Sequence, residues 1–498
     1  MEIFHSLLHG FQIVLEPANL FYCFLGCLVG TLVGMLPGLG APAAIALLLP
    51  GTFRMNPVSA TIMLAGIYYG SMYGGSTTSI LVNIPGETAS VVTCLDGYQM
   101  ARKGRAGPAL GMAAFGSFIA GTLGVFILVF LSPPLARMAI QFGPPEYFSL
   151  MVLGLTILAF LTRGSMIKGF IMACFGLILG SIGTDAISGS YRFTFNRLIL
   201  YDGIGLVPVT MGLFGISEVF LQIEEGLKRD VFQTPLKGLF PTIKDWMDSK
   251  WAILRGTIIG FFLGILPGGG AVVASFTSYA LERKFSKHPE KFGTGVIEGV
   301  AGPECANNAG STGAFIPLLT LGIPSNVATA VLLGALMIYG LQPGPLLIKN
   351  HPDVFWGVIS SMYVGNVMLL ILNLPLIGIW VKFLKIPYAI LFPFILLFSL
   401  IGVYSLNNSI AEIIIMVGCG ALGYLMKKFD YEGAPLILAM VLGPMMENAL
   451  RQSLMISRGS FLIFFTRPIS LILFGTAIVL LLLPILGKFR RKVAMAEG

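Results

Sequence analysis

Residues 36–42 read LPGLGAP, and they interrupt a stretch that is otherwise apolar enough to cross a membrane. The flanking sequences are NLFYCFLGCLVGTLVGM (19–35) and AAIALLLP (43–50). Proline removes a backbone donor and clashes with the preceding turn, and glycine favours non-helical backbone. Residues 266–271, LPGGGA, repeat the pattern. The sequence therefore predicts two helices that are broken inside a bilayer.

The composition is that of a membrane protein. The 498 residues are 56% hydrophobic and only 11% charged, and the mean hydropathy is +0.87. Soluble domains carry about twice that charged fraction. Long apolar runs lie at 19–36, 108–132, 147–161, 165–182, 353–384, 388–405, 409–425 and 460–487. At ~20 residues for each crossing, we expect an all-α polytopic membrane protein with about 10–12 transmembrane helices and no soluble domain.

The basic residues indicate membrane topology. The net charge is +8, and Lys and Arg concentrate in the cytoplasmic loops of membrane proteins. We therefore place the basic segments 102–105, 283–291 and 488–492 in the cytoplasm, and we expect no nucleic-acid partner. The six cysteines are scattered without CxxC pairs, which is typical of small buried side chains.

The two broken segments belong to a longer internal repeat. Six Gly and Pro residues of 26–40 recur in 256–270 with a constant offset of 230. GGSTTSILVNIP (74–85) then aligns with AGSTGAFIPLLTLGIP (309–324), which pairs the two Ser-Thr dipeptides and, after a four-residue insertion, the two Ile-Pro dipeptides. We expect two membrane repeats, 1–222 and 251–498, joined by a polar loop at 223–250. Equivalent loops differ in Lys and Arg content, which favours inverted repeats with re-entrant helices near the midplane.

Interrupted helices at matching positions of two halves are typical of secondary transporters. A break frees carbonyl groups that can coordinate a cation, and it creates a helix N-terminus that can hold an anion. The predicted substrate-binding residues are Gly38, Gly40, Ser76, Thr77, Thr78, Asn83, Gly268, Gly270, Asn307, Asn308, Ser311 and Thr312. The predicted cation-coupling residues are Pro37, Pro85, Pro267, Glu304, Asn308 and Pro324, with any Na⁺ bound at the same segments. The alternative is a plain kink that serves helix packing.

Glu304 is the most conspicuous acid, because it lies between Pro303 and a pair of asparagines. An ionisable group inside a membrane segment is a functional candidate by default. We expect Glu304 to carry a proton or to join a Na⁺ site, with helix capping as the alternative. Glu87 and Glu298 are expected at helix ends in water. The remaining acids of interest are expected in structural or interfacial positions, and they are Asp202, Glu218 and Glu447.

Several of these segments together resemble the TctA family, the large membrane subunits of tripartite tricarboxylate transporters. The resemblance covers nearly the whole chain. It rests on GTLVGMLPGLGA, YYGSMYGGSTTSILVNIPGE, LDGYQMARKGRAGPAL, GFFLGILPGGGAVVASF, GVIEGVAGPECANNAGSTGAFIPLLTLGIP and LQPGPLL. The family's motif positions correspond to Pro37–Gly40, Ser76–Thr78, Pro85–Gly86, Pro267–Gly270, Glu304–Thr312 and Pro324.

The resemblance implies a function and partners. A periplasmic TctC-like binding protein captures a carboxylate, a small TctB-like membrane subunit accompanies the large one, and the large subunit carries the solute across the bacterial inner membrane. Uptake of citrate or another di- or tricarboxylate would be driven by a Na⁺ or H⁺ gradient, with no cofactor. The sequence contains no phosphate-binding loop, so we place the energy source in an ion gradient or in another chain.

Two alternatives remain at this point. A stand-alone organic-anion permease or exchanger would use the same repeat without partner subunits. A membrane-embedded enzyme would need clustered Asp residues for Mg²⁺ or a His-containing metal motif. The four histidines are isolated, at His5, His9, His288 and His351. We therefore expect a carrier and not an enzyme.

Overall fold

The computed structural model describes residues 2–36, 38–162, 165–185, 187–225, 238–268, 270–384, 386 and 388–496. The helices are α1 (Glu2–Val14), α2 (Pro17–Gly34), α3 (Gly40–Leu48), α4 (Pro57–Val82), α5 (Thr93–Arg102), α6 (Ala106–Ala139), α7 (Pro144–Leu161), α8 (Met166–Gly180), α9 (Leu206–Thr210), α10 (Ser217–Glu225), α11 (Ile243–Ile265), α12 (Gly270–Phe285), α13 (Glu298–Gly313), α14 (Phe315–Leu321), α15 (Val327–Ile338), α16 (Leu347–Asn350), α17 (Pro352–Asn373), α18 (Ile377–Phe383), α19 (Tyr388–Asn407), α20 (Ile410–Lys428), α21 (Ala434–Ile456), α22 (Ile463–Thr466) and α23 (Pro468–Ala496).

Short irregular elements connect some of these helices. Single 3-10 turns lie at Leu49–Thr52, Thr88–Ser90, Leu198–Leu200 and Pro289–Lys291, and a π-helical turn, Met211–Ile216, joins α9 to α10. The strands β1 (Gly183–Thr184) and β2 (Tyr191–Arg192) pair in antiparallel register, with Gly183 opposite Arg192. The predicted all-α class is therefore confirmed.

Six helices in the described part of the chain are long and apolar enough to cross a membrane. They are Pro17–Gly34, Ala106–Ala139, Leu206–Glu224, Pro352–Asn373, Ile390–Asn407 and Ile410–Lys428. Shorter apolar helices of 10–17 residues accompany them at Ile3–Val14, Gly40–Thr52, Pro144–Phe160, Met166–Gly180, Val327–Ile338 and Pro468–Leu482. The chain is a multi-pass membrane protein.

The helices form two compact units, and each unit takes segments from both halves of the sequence. The first comprises Met1–Arg137, Val207–Ile265 and Gly269–Leu425, and the second comprises Met138–Leu206, Leu266–Gly268 and Met426–Gly498. The predicted repeats 1–222 and 251–498 describe a duplication, not a compact unit, and they stay a prediction. Residues 226–237 of the predicted 223–250 loop lie outside the described residues, and α11 already begins within that loop.

Glycine stripes bring two pairs of helices into backbone contact in the first unit. A Cβ on Gly30 of α2 would lie 2.5 Å from the Ile67 carbonyl oxygen of α4, and one on Gly260 of α11 would lie 2.6 Å from the Cα of Ala306 in α13. The neighbouring glycines Gly26, Gly34, Gly256 and Gly264 face the same partner helices. Small residues allow such close approach, which stabilises helix pairs in membranes. The repeated glycines thus build two similar helix pairs.

The same contacts define how the two helix pairs correspond. A Cβ on Gly74 of α4 would meet Thr31, and one on Gly313 of α13 would meet Phe261, 230 positions after Thr31. Gly313 follows Gly74 by 239 positions, and the two Ile-Pro dipeptides follow each other by the same interval. The four-residue insertion in the sequence alignment is therefore wrong. The Ser-Thr dipeptides at 76 and 311 lie one helical turn apart in the repeat and are not equivalent.

The second unit contains α7, α8, α21, α23 and the β1–β2 loop. Glycines of α8 pack on backbone carbonyls of α21, at Gly176 beside Leu436. Arg192 of β2 donates to both carboxylate oxygens of Glu447 at 2.8 and 2.9 Å, and it also pairs with Asp185. The backbone N–H and hydroxyl of Ser188 donate to Asp185, and together with Arg192 they hold the pKa of this carboxyl below its usual range. The ion pair between Arg192 and Glu447 thus connects the β1–β2 loop to α21.

Candidate functional site

The two predicted breaks are present, and each depends on glycine in left-handed backbone. Gly38 and Gly40 have φ of 89° and 62°, and Gly268 and Gly270 have φ of 81° and 47°. Residues with a Cβ rarely adopt such angles. Pro37 lies outside the described residues. After the breaks, α12 begins at buried Gly270, whereas α3 begins at half-buried Gly40 and is buried from Ala41.

The first helix N-terminus already binds a carboxylate. The backbone N–H of Ala41, in the first turn of α3, donates to Glu87 Oε1 at 2.7 Å. Glu87 is only 8% exposed, so its expected position at a helix end in water is wrong. A Cβ on Gly38 would overlap the carboxyl group of Glu218, so a second acid lies beside the same break. We refer to Gly38–Ala41 with Glu87 as the first tip.

A hydroxyl group satisfies one carbonyl that this break frees. Thr78 Oγ1 donates to the Met35 carbonyl oxygen, just after the end of α2, at 3.0 Å. A buried carbonyl oxygen without a partner would be costly in a membrane. Thr78 was predicted to bind substrate, and the structure gives its hydroxyl a structural partner. Nearby, Asn83 is exposed and ends α4 in the left-handed conformation at φ 60°.

We refer to Gly270 and Ala271 with Asn326 as the second tip. Like the first tip, it has a glycine in left-handed backbone, but it has a neutral amide in the place of a carboxyl group. Gly270 lies beside Asn326, whose side-chain nitrogen would be 3.9 Å from a Cβ on that glycine. The backbone N–H of Asn326 donates to Thr329 Oγ1 at 3.0 Å, just as the N–H of Glu87 donates to Ser90 Oγ at 3.3 Å. Asn326 follows Glu87 by 239 positions, the interval of the helix pairs. Equivalent positions therefore hold a carboxylate at the first tip and a neutral amide at the second.

Other predicted residues at the breaks fall in different surroundings. Pro267 and Gly268 belong to the second unit, where a Cβ on Gly268 would lie 2.6 Å from the Cα of Leu158 in α7. Pro85 is half-buried and Pro324 is buried, and both belong to the loops that follow α4 and α14. The predicted role of these prolines in cation coupling stays a prediction.

Glu304 lies at the centre of a polar cluster inside the first unit. The side chain is fully buried in α13, and it accepts hydrogen bonds from the hydroxyls of Ser76 in α4 and Thr93 in α5. One turn along α13, Asn308 Nδ2 donates to Ser117 Oγ of α6 at 2.6 Å. The predicted residues Ser76, Glu304 and Asn308 are therefore brought together, whereas Thr93 and Ser117 were not predicted.

A small cavity continues from this cluster along α13. It is lined by predicted Asn308, Ser311 and Thr312, and also by Tyr69, Tyr73, Phe315, Met362 and Asn366. The hydroxyls of Ser311 and Thr312 both donate to the Asn308 carbonyl oxygen, at 2.8 and 3.1 Å. Asn307 is fully buried, and neither polar atom of its side chain has a hydrogen-bond partner. Such a group marks a place where water or a ligand is expected.

A second small cavity adjoins the first at Tyr73. Its lining includes predicted Ser76 and Thr77, together with Ser117 and Asn373. Within the described residues, no three His, Cys, Asp or Glu side chains form a group that could hold a metal ion. The polar side chains that line the two cavities are hydroxyls and amides.

Asp96 of α5 has a different environment. It is fully buried, and it accepts from the backbone N–H groups of Gly293, Gly295 and Val296 at 2.7–3.0 Å and from the Tyr279 hydroxyl at 2.9 Å. Lys103 donates to the Thr294 carbonyl oxygen at 2.5 Å in the same region. These contacts join α5 and the basic segment 102–105 to the loop that follows the basic segment 283–291.

The described residues thus form a helical membrane protein with two interrupted helices and a buried polar cluster. A family model described as Tripartite tricarboxylate transporter TctA family matches residues 20–438. The chain belongs to the TctA family, as its motifs predicted, and is therefore a membrane component of a transport system.

Two curated relatives come from Agrobacterium vitis. One is described as an uncharacterized 52.8 kDa protein in the TAR-I ttuC′ 3′ region, and it is 50% identical over 500 residues, covering 100% of each chain. The other is described as an uncharacterized protein in the TAR-II ttuC′ 3′ region. It is 51% identical over 233 residues, which cover 47% of this chain and 96% of the relative. No solved structure gives a significant match.

Proposed function

We propose that this chain is the large membrane subunit that carries a small di- or tricarboxylate, such as citrate, across the bacterial inner membrane. A periplasmic binding protein delivers the solute, a small membrane subunit accompanies the carrier, and a Na⁺ or H⁺ gradient drives uptake. Membership of the TctA family supports the transport class. The substrate, the coupling ion and the partners are the parts that we infer.

The hydrogen bond from Ala41 to Glu87 is the observation that carries the proposal. The carboxyl group of Glu87 at the N-terminus of α3 supports the assignment of carboxylate binding to this type of tip. At the equivalent tip, beside Gly270, the chain supplies the amide of Asn326 in place of a carboxylate. An amide N–H can donate to a substrate carboxylate without burying a positive charge. We therefore assign substrate recognition to the second tip and charge compensation to the first.

Energetics favour coupling to cations. Moving a trianion into a cell that is negative inside costs about 7 kcal/mol per 100 mV, from 2.3 kcal/mol for each charge. At least three co-transported monovalent cations are needed to cancel this electrical cost. The buried Glu304 and the acids near the first break supply negative charge in the interior of the first unit. These groups are the candidates for binding the coupling ions.

The test is uptake of labelled citrate, tartrate and succinate into proteoliposomes that contain the chain with its purified partner proteins. We expect accumulation that stops when the Na⁺ and H⁺ gradients are both collapsed. Uptake that is unchanged by their collapse would refute ion coupling. Full uptake without the binding protein and the small subunit would instead favour the stand-alone permease.

A charge substitution tests the assignment of the second tip. Asn326→Asp preserves the shape of the side chain and gives this tip a carboxylate, as at Glu87. We expect substrate uptake to fall to background because the new charge repels the anion. Asn350→Asp makes the same change at an exposed position and serves as the control. Equal uptake by both variants would move the substrate site elsewhere.

A further inference from the structure

One cavity in the first unit has both polar and apolar residues in its lining, and its polar atoms are mainly hydrogen-bond acceptors. It lies between α4, α6 and α17, and its polar lining residues are Tyr73, Ser76, Thr77, Ser117 and Asn373. Three apolar side chains of α6 complete the wall. The space suffices for about one water-sized particle. We call it the Asn373 cavity.

Two of its hydroxyl groups have their only hydrogen committed elsewhere. The Ser76 hydroxyl donates to Glu304, and the Met72 carbonyl oxygen, 3.2 Å away, is its other acceptor. The Tyr73 hydroxyl donates to Asn366 Oδ1 at 2.5 Å. A hydroxyl group has one hydrogen and two lone pairs, so each of these oxygens can only accept from an occupant of the cavity.

The side-chain oxygen of Asn373 is a third acceptor, and this oxygen has no hydrogen-bond partner. Its side chain is 4% exposed, and its Nδ2 donates to the Leu369 carbonyl oxygen at 2.9 Å. Its Oδ1 is buried without any hydrogen bond. Buried acceptors are almost always satisfied in folded proteins, so an unpaired one indicates a missing water, ion or ligand.

The remaining polar groups are neutral oxygens. Ser117 Oγ accepts from Asn308 Nδ2 at 2.6 Å and keeps a second lone pair. Thr77 is a buried residue of the same wall. No Lys, Arg or His lines the cavity, and the nearest charge through the Ser76 hydroxyl is the carboxylate of Glu304. The polar atoms of the lining therefore offer hydrogen-bond acceptors, and a carboxyl group lies directly behind one of them.

We propose that the Asn373 cavity binds a single Na⁺. Hard oxygen ligands suit alkali cations, and one carboxylate beyond Ser76 compensates one positive charge. A divalent cation such as Ca²⁺ would need more carboxylate ligands than this cavity contains. The site is separate from the broken segments, and its oxygens come from three helices. Its role in coupling rests on the proposed function, whereas the binding of Na⁺ itself does not.

The direct test measures Na⁺ binding by the purified full-length chain in lipid nanodiscs, without substrate or partner proteins. We expect saturable ²²Na⁺ binding and a rise of the melting midpoint in NaCl but not in choline chloride at equal ionic strength. Asn373→Ala removes the unpaired oxygen, and the Na⁺ affinity should fall about ten-fold or more. Asn373→Asp adds a negative ligand of the same shape, and the affinity should rise.

Matched controls separate loss of the site from loss of the fold. Thr77→Val removes a lining oxygen, whereas Thr61→Val removes a buried hydroxyl from the same helix that donates to the Pro57 carbonyl oxygen. Only Thr77→Val should weaken Na⁺ binding. Equal Na⁺ affinity in wild type and Asn373→Ala would overturn the proposal. Stabilisation by choline as strong as by Na⁺ would show a water-filled cavity and would also overturn it.

Transport measurements distinguish this inference from the proposed function. If citrate uptake depends on a Na⁺ gradient but Asn373→Ala binds Na⁺ normally, the transport function stands and this site is refuted. If Asn373→Ala loses Na⁺ binding while no carboxylate is transported under any gradient, the Na⁺ site stands and the proposed function fails.

Discussion

Gly260→Ala is the substitution whose effect can be worked most directly from the structure. A methyl group on Gly260 would lie 2.6 Å from the Cα and 2.8 Å from the carbonyl carbon of Ala306. Real Cβ atoms essentially never approach other heavy atoms within 3.0 Å. Because the partner atoms are backbone atoms of a buried helix, α11 and α13 must separate to accommodate the methyl group.

The expected free-energy change combines two terms. Overpacking costs about 1–3 kcal/mol, and the upper end applies here because no side chain can move aside. Alanine is a better helix former than glycine by about 1 kcal/mol, which offsets part of this cost. The net destabilisation is therefore about 2 kcal/mol. Gly418→Ala is the matched control, since a methyl group there meets nothing within 4 Å and only the favourable term remains.

The assay is heating of the purified protein followed by size-exclusion chromatography to measure the folded fraction. We expect the apparent melting midpoint of Gly260→Ala to fall and that of Gly418→Ala to stay level or rise. Gly30→Ala should also lower the midpoint, since its methyl group would lie 2.9 Å from the Cα of Ile67. A Gly260→Ala protein as stable as Gly418→Ala would refute the close backbone contact.

Three further predictions concern single polar contacts. Thr78→Val leaves the Met35 carbonyl oxygen buried without its donor and should destabilise the chain by about 1–3 kcal/mol, read as a lower melting midpoint. Asp96→Asn removes the negative charge that strengthens the hydrogen bonds from the Gly293, Gly295 and Val296 N–H groups, and trypsin should then cleave the 286–296 loop faster than in wild type. The lowered pKa of Asp185 stabilises the β1–β2 loop above the unfolded-state pKa of about 4, and this stabilisation is lost as the pH falls below it. Protection of that loop against hydrogen exchange, corrected for the intrinsic exchange rate at each pH, should therefore fall between about pH 5 and pH 2, and unchanged protection would contradict the ion-pair account.

Helical class, membrane location and the two breaks were predictable because they depend on local chemistry. Apolar runs long enough to span a bilayer specify helices, and Pro and Gly inside them specify an interruption. The family was also predictable, since its long motifs are specific. The observed left-handed angles at Gly38, Gly40, Gly268 and Gly270 follow from residues that the sequence displays directly.

The polar partners were harder to predict because they come from distant parts of the chain. Glu304 was predicted, but its donor Thr93 lies 211 positions away and resembles an ordinary helix residue. The burial of Glu87 was not predicted, because its hydrogen bond from Ala41 depends on where the α3 N-terminus lies in three dimensions. A polar role for Asn366 and Asn373 could have been predicted from the sequence, since two amides seven residues apart lie on one face of an apolar helix.

The register of the repeat illustrates a second limit. Matching the two Ser-Thr dipeptides by identity required an insertion, whereas the glycine contacts of α4 and α13 show one constant interval of 239, from Met63 and Gly302 to Gly74 and Gly313. Equivalent positions in two similar helix pairs make equivalent packing contacts even where their residue types differ. The correct correspondence pairs Glu87 with Asn326, two different residues that no identity score would align.

The pairing of Ser76 with Glu304 also constrains how the protein is made. The two residues are separated by 228 positions, and a ribosome adds about 5–20 residues per second. For roughly 10–45 seconds, α4 therefore resides in the membrane before its buried acceptor has been synthesised. During this interval its hydroxyl-rich face needs temporary partners, such as water, lipid headgroups or the insertion machinery. A translational pause or truncation between α6 and α13 would expose this face, and quality-control proteases would encounter it first.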